Sequence, residues 1–143
     1  MNFKEEVERE VVKLSYYIRY GKYEELEKIR ARIVELIDNN IKDEKEKFEY
    51  KKWKGFKNAI STICRSVKEE EDFSVIMLAL EKYRKEKPEL ISKYVKKCQE
   101  EVERGYKWKE LGIDNLGFSV GVNLALLGVL EPMIRVKKIR KES

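Results

Sequence analysis

The sequence predicts a mostly α-helical protein, a compact bundle of about five helices followed by a glycine-rich apolar segment near the C-terminus. Apolar residues recur at spacings of three and four along most of residues 1–105, which is the period of an amphipathic helix. Helix breakers are scarce, since Gly21, Gly55 and Pro88 are the only glycines and prolines in residues 1–100. With 143 residues and 42% hydrophobic content, the chain has the size of one domain with its own core.

The first two helices are expected to form an antiparallel hairpin. The apolar face of the first consists of Phe3, Val7, Val11, Leu14 and Ile18. Gly21 follows its last turn, where a glycine commonly ends a helix. The second helix is predicted from about Tyr23 to Asp38, and the short connection requires the two helices to run in opposite directions.

Three further helices complete the predicted bundle of residues 1–105. The third runs from Asp43 to about Lys68, with Gly55 as the position of a kink. The fourth begins at an N-capping Asp72. Its apolar face consists of Val75, Ile76, Ala79, Leu80 and Tyr83. The fifth begins at Pro88, in the first turn where proline is tolerated, and is expected to end at Gly105.

The apolar segment of residues 106–134 is predicted to pack on this bundle. Its uncharged core, residues 115–130, alternates apolar and small residues, which is typical of a strand and would suit a β-hairpin. Its length favours a helix, which would be apolar nearly all round and therefore deeply buried. We expect a helix and retain the hairpin as the alternative.

A membrane anchor is the less favoured interpretation of the same segment. Sixteen residues give about 24 Å of helix, against a hydrocarbon core of roughly 30 Å. Asn115, Ser119 and Asn123 would also be costly in lipid. The spacing of Gly117 and Gly121 and the basic residues that follow are the features that support an anchor.

The net charge of +5 is concentrated in two short stretches, each contributing +4, while the rest of the chain carries −3. The first is the lysine patch, Lys51, Lys52, Lys54 and Lys57. The second is the basic tail, residues 135–143, with Arg135, Lys137, Lys138, Arg140 and Lys141. Basic side chains in such clusters contact phosphates, so these nine residues are the candidate nucleic-acid-binding residues.

Each stretch also has a structural interpretation. Aromatic residues interleave with the lysine patch and would stack on unpaired bases. However, Trp53, Phe56 and Ile60 are spaced by three and four, which favours a buried face with the lysines on the solvent side. The basic tail would equally serve as a solubilising terminus.

The order of elements in the last forty residues resembles the end of a winged helix-turn-helix domain. "YKWKELGIDN" is similar to a short helix and turn, "GFSVGVNLALLGVL" to a second helix, and "MIRVKKIRK" to a basic wing. The resemblance implies DNA binding. The second helix offers only Ser119 and Asn123 to base edges, so little sequence-specific readout is expected.

Catalytic chemistry has few candidates in this sequence. There is no histidine, and no glycine-rich loop ends in the lysine of a nucleotide-binding motif. We therefore expect no enzyme activity, no cofactor, no metal site and no small-molecule substrate. Cys64 and Cys98 are predicted to be buried thiols, with a disulfide as the alternative.

Composition and the N-terminus suggest where the protein operates. Abundant lysine, glutamate and isoleucine with a single glutamine are typical of hyperthermophile proteins, which predicts an archaeal or viral source. The acidic N-terminus has no apolar signal region, so we expect a cytoplasmic protein.

The sequence favours a non-enzymatic nucleic-acid-binding or regulatory protein that contacts phosphates largely independently of base sequence. The alternative is a helical interaction or oligomerisation module, in which residues 118–130 pack against a second copy or another protein. A protein anchored in a membrane by its C-terminal segment is the third interpretation.

Overall fold

The computed structural model describes residues 2–69 and 88–142, which form five α-helices and no strand. The helices are α1 (Phe3–Arg19), α2 (Leu26–Asn40), α3 (Lys47–Glu69), α4 (Pro88–Glu110) and α5 (Gly117–Glu142). The predicted compact, mostly helical fold is therefore confirmed. The fourth helix expected from Asp72 lies outside the described residues.

The antiparallel hairpin of α1 and α2 follows the sequence pattern closely. The side chain of Asn2 caps α1 by accepting a hydrogen bond from the backbone N–H of Glu5 at 2.9 Å. Gly21, with φ of +70°, reverses the chain after α1 as predicted. A short 3₁₀ turn, Tyr23–Glu25, precedes α2, so the second α-helix begins three residues later than expected.

The end predicted for the helix that starts at Pro88 was wrong. The helix, α4, passes through Gly105 and continues to Glu110. Gly105 is buried, and a Cβ there would overlap the side chain of Val120 on α5. The absence of a side chain at Gly105 therefore allows α4 and α5 to pack closely. The residue that ends the helix is instead Gly112, which has a φ of +83°.

The C-terminal segment forms the central helix of the fold. The predicted helix is confirmed, and α5 packs against α3, α4 and α1. The hairpin and wing interpretations were wrong, because the backbone of "MIRVKKIRK" continues α5 to Glu142. The deeply buried residues of α5 are Val120, Ala125, Leu126, Leu127, Val129 and Leu130. They account for the long uncharged stretch, since no face of this part of the helix is fully solvated.

Close backbone approach joins α3 to α5 along a glycine seam, which we define as Gly55, Gly117 and Gly121. A Cβ on Gly55 would overlap the carbonyl oxygen of Phe118, and one on Gly121 would overlap that of Lys52. A Cβ on Gly117 would lie 2.9 Å from the carbonyl oxygen of Phe48. The Gly-x-x-x-Gly spacing thus allows α5 to pack closely against α3 of the same chain. Within the described residues, no helix is long and apolar enough to cross a bilayer.

A buried hydrogen bond secures the packing of α1. The hydroxyl of Ser15 donates a buried hydrogen bond of 2.6 Å to the carbonyl oxygen of Val129, which links α1 to α5.

Cys64 and Cys98 are buried free thiols, so no disulfide joins them. Burial raises the pKa of Cys64 to about 12, which keeps the thiol protonated and unreactive.

Candidate functional site

The lysine patch divides into surface and interior residues. Lys51 and Lys54 are exposed on α3. Lys57 is half-buried and pairs with Asp38 of α2 at 2.5 Å. Lys52 is only 5% exposed. The four lysines therefore do not form one solvated surface, and only Lys51 and Lys54 have the exposure that a direct phosphate contact needs.

The aromatic residues of this stretch are core residues. Trp53 and Phe56 are buried, and their ring centroids lie 5.3 Å apart. Phe3 of α1 packs on the other side of the indole, with centroids 5.1 Å apart. The interpretation of these aromatics as a buried face is thus confirmed, and neither ring is available to stack on a base.

Lys52 is held inside the protein by groups from α3 and α4. Its Nζ lies 2.9 Å from Oε1 of Glu49 and 3.5 Å from the hydroxyl of Tyr106. The same Nζ lies 5.3 Å from the ring centroid of Trp53 and 5.9 Å from that of Tyr106. A buried ammonium requires such partners, because its desolvation otherwise costs several kcal/mol.

The carboxylate beside Lys52 sits in a positive field. Burial by itself would raise the pKa of Glu49, but the hydrogen bond from Lys52 and the charges of Lys52, Lys4 and Lys109 outweigh it. The pKa of Glu49 is consequently lower than its ordinary value. The end of α3 that faces α1 and α4 therefore has more positive than negative charge around this carboxylate.

A pocket of about 620 Å³ opens beside Lys52. Residues of α1, α3, α4 and α5 line it, and most of their side chains are apolar. They are Lys4, Val7, Glu8, Val11, Val12, Lys52, Trp53, Phe56, Tyr106, Leu124, Leu127, Gly128 and Glu131. Size, apolar walls and a few convergent polar groups are the usual properties of a small-molecule site.

The basic tail occupies the last turns of α5. The backbone of residues 135–141, which carry its five cationic residues, is helical and continues from the buried part of the helix. Positive charge at the C-terminal end of a helix is favoured by the helix dipole. The tail is thus the C-terminal end of a long helix whose other end contacts the lysine patch.

Exposed apolar side chains cluster at the connection between α4 and α5, which we call the α4–α5 corner: Trp108, Leu111, Ile113 and Phe118. The backbone N–H of Ile113 donates to the carbonyl of Trp108 at 2.9 Å, and Gly112 N–H donates to Lys109 at 2.9 Å. These bonds form a Schellman cap, in which the first and last residues commonly make an apolar contact. The cap gives a reason for apolar residues at positions 108 and 113, which are its first and last residues. It gives none for Leu111, whose exposed fraction is 76%.

Sequence reasoning missed the pocket and the role of Lys52 within it. Tyr106 and Lys52 are 54 residues apart in the chain, and no local pattern connects them. The one available signal was that Lys52 falls between residues spaced as a buried face.

Within residues 2–69 and 88–142, no group of acidic or cysteine side chains is arranged to hold a metal ion.

Comparison with protein-family models, with curated proteins and with solved structures finds no match to this chain. Its function is therefore inferred from the arrangement of its own residues.

Proposed function

We propose that this protein is a non-enzymatic nucleic-acid-binding protein. Its basic side chains contact mainly the phosphate groups, so binding is largely independent of base sequence. The observation that carries the proposal is the placement of basic residues at both ends of α5. Gly117 at its start packs against Lys51, and the basic tail forms its last turns.

The length of α5 sets the spacing between these two basic regions. At 1.5 Å per residue, residues 135–141 lie at most roughly 27 to 36 Å from Gly117, since Pro132 lies inside α5 and a bend there shortens the distance. That span corresponds to roughly 8 to 11 base pairs of duplex DNA. A nucleic acid would thus need about one helical turn to contact Lys51 and Lys54 at one end and the tail at the other.

The polar side chains of α5 support recognition without base readout. The side-chain amide of Asn123 donates to the carbonyl oxygen of Ser119 at 2.8 Å, and both residues are partly buried. These are the two base-reading candidates of the winged-helix resemblance, and they are engaged within α5. The remaining candidates are lysine and arginine, whose usual partner in sequence-independent binding is the phosphate backbone.

Salt dependence and duplex length test the proposal together. Affinity for duplexes of about 6 and about 16 base pairs is measured between about 50 and 200 mM salt. We expect the longer duplex to bind more tightly, with a steep loss of affinity as salt rises. Deleting residues 135–143, or combining Lys51→Glu with Lys54→Glu, should flatten the salt slope and remove the advantage of the longer duplex.

Exposed lysines of α4 provide the matched control. Lys93→Glu combined with Lys96→Glu makes the same change in net charge at exposed positions outside the lysine patch and the basic tail. We expect this variant to keep most of the salt slope and the length advantage. Equal losses in the two double variants would show that net charge alone attracts nucleic acid, and absence of binding at low salt would refute the proposal.

A protein–protein interface is the second candidate function, favoured by the exposed side chains of the α4–α5 corner. The glycine seam is already filled by α3, so a partner would contact the corner and not the face that carries Gly117 and Gly121. Sedimentation velocity tests this. A dimer that Leu111→Asp dissociates would support the interface, whereas a monomer at all concentrations would exclude self-association.

A further inference from the structure

We propose that the pocket between α1, α3, α4 and α5 binds a small amphipathic carboxylate, with its apolar body on the α1 and α5 walls and its anionic group on Lys52 and Lys4. This activity is independent of the nucleic-acid binding proposed above. It assigns Lys52 to a pocket in the interior and not to a phosphate-binding surface.

The apolar walls of the pocket come from three helices. Val7 and Val11 belong to α1, Trp53 and Phe56 to α3, and Leu124 and Leu127 to α5. Gly128 adds no side chain to the α5 wall, and a Cβ at this position would lie 2.8 Å from Cγ1 of Val11. A hydrocarbon chain or an aromatic ring placed between these walls leaves water for an apolar surface, which is the main source of affinity in such sites.

Lys52 retains hydrogen-bonding capacity for a ligand. An ammonium group has three donors. Glu49 takes one at 2.9 Å, and the Tyr106 hydroxyl is a longer partner at 3.5 Å. The remaining capacity lies in a poorly solvated position, where a bond between opposite charges is stronger than at the surface. A carboxylate oxygen is the acceptor that best matches this donor.

The charges around the pocket limit a ligand to one negative charge. Lys4 and Lys52 line the pocket and are the groups that an anionic ligand can contact, but Glu49 pairs with Lys52, so the pocket has no excess of positive charge once Glu8 and Glu131 are counted. Glu8 and Glu131 also line the pocket and would repel a second anionic group. A polyphosphate is therefore disfavoured, whereas a monocarboxylate with an apolar body satisfies both the walls and the charges. The volume of about 620 Å³ lies in the range of small-molecule sites.

Trp53 provides the readout for a binding experiment. The chain has two tryptophans, so Trp108→Phe leaves Trp53, in the pocket wall, as the single tryptophan, whose emission can be excited selectively over that of the tyrosines. In this background we titrate decanoate and 1-decanol, which share an apolar chain and differ in the carboxylate. We expect both to change the Trp53 emission, with decanoate binding about tenfold or more tightly because of its charge-assisted hydrogen bond.

Three variants in that background separate the walls from the charge. Val12→Phe, at a half-exposed residue of the α1 wall, should weaken both ligands by filling space. Lys52→Met should bring the affinities for decanoate and decanol close together by weakening decanoate alone. Lys4→Met, at an exposed residue of the pocket lining, should do the same to a smaller extent. Leu111→Phe, outside the pocket, is the control and should change neither affinity.

The outcomes are decisive in each direction. Equal affinity for decanoate and decanol in the parent, no emission change with either, or unchanged binding in Val12→Phe would overturn the proposal. If circular dichroism shows that Lys52→Met does not fold, the Lys4→Met result decides the role of charge. Deletion of residues 135–143 should leave decanoate binding intact, so failure of the nucleic-acid proposal and failure of this one are distinguishable.

Discussion

The α1–α2 hairpin and the α3–α5 pair are packed by opposite means. The hairpin is filled by large apolar side chains, among them Leu14 and Ile33, which are completely buried. The α3–α5 pair relies on the absence of side chains, because the glycine seam lets carbonyl groups of one helix touch the other. A side-chain interface adjusts to small changes in volume, whereas a backbone contact has no rotamer that can move aside.

Gly121→Ala is expected to have the largest effect. Its Cβ would overlap the carbonyl oxygen of Lys52 and lie 2.8 Å from the backbone nitrogen of Phe56, so the two helices would have to separate. We expect a loss of roughly 3 kcal/mol or more in the free energy of unfolding, measured in urea. Gly128→Ala is the control on the same helix. It meets only the Val11 side chain, and its better helix propensity offsets much of the cost.

Ile33→Val tests the tolerance of the hairpin. The substitution removes one methylene from a fully buried side chain of α2 without changing the backbone. We expect a loss of about 1 kcal/mol in urea unfolding. A loss as large as that of Gly121→Ala would contradict the contrast between the two interfaces.

Ser15→Ala tests the buried hydrogen bond that links the hairpin to α5. The substitution leaves the carbonyl of Val129 without its side-chain donor, and we expect a loss of about 1 kcal/mol or slightly less. The matched control is Ser92→Ala on the exposed surface of α4, which should be neutral or slightly stabilising. Thermal and urea unfolding of both variants would measure the difference.

The smallest expected effect is the acid sensitivity contributed by Glu49. Because its folded pKa lies below the ordinary value, its stabilising contribution is present above about pH 4.5 and is lost as pH falls through the lower, folded value. Glu49→Gln should reduce stability by about 1 kcal/mol or less at neutral pH, because the amide oxygen of glutamine can still accept the hydrogen bond from Lys52 and the position is partly exposed. It should also make unfolding between pH 5 and 3 less pH-dependent. Glu35→Gln, on the exposed side of α2, should leave that acid sensitivity in place.

Local periodicity predicted the hairpin well but not the central packing. The apolar face from Val7 to Ile18 and the turn at Gly21 follow from residues close in sequence, so they could be predicted. Gly105 could not be assigned correctly, because a glycine that ends a helix and one that admits a neighbouring side chain look the same in sequence. The distinction depends on Val120, a residue of another helix.

The candidate site shows the same limit. Net charge located the lysine patch, and residue spacing correctly identified Trp53 and Phe56 as buried. The burial of Lys52 was not predicted, since a lysine is normally solvated and its partners include a tyrosine on α4. The pocket beside it arises from four helices together and has no signature in any one of them.

The bond between Ser15 and Val129 also has a consequence for the order in which the chain folds. Its two residues are separated by 114 positions in the sequence. Contacts of such long sequence separation form late, because the loop they close must first lose its freedom. During synthesis, the apolar face of α1 therefore remains without its α5 neighbour until α5 leaves the ribosome, and only α2 and, through Trp53, α3 are described helices that can pack against it earlier.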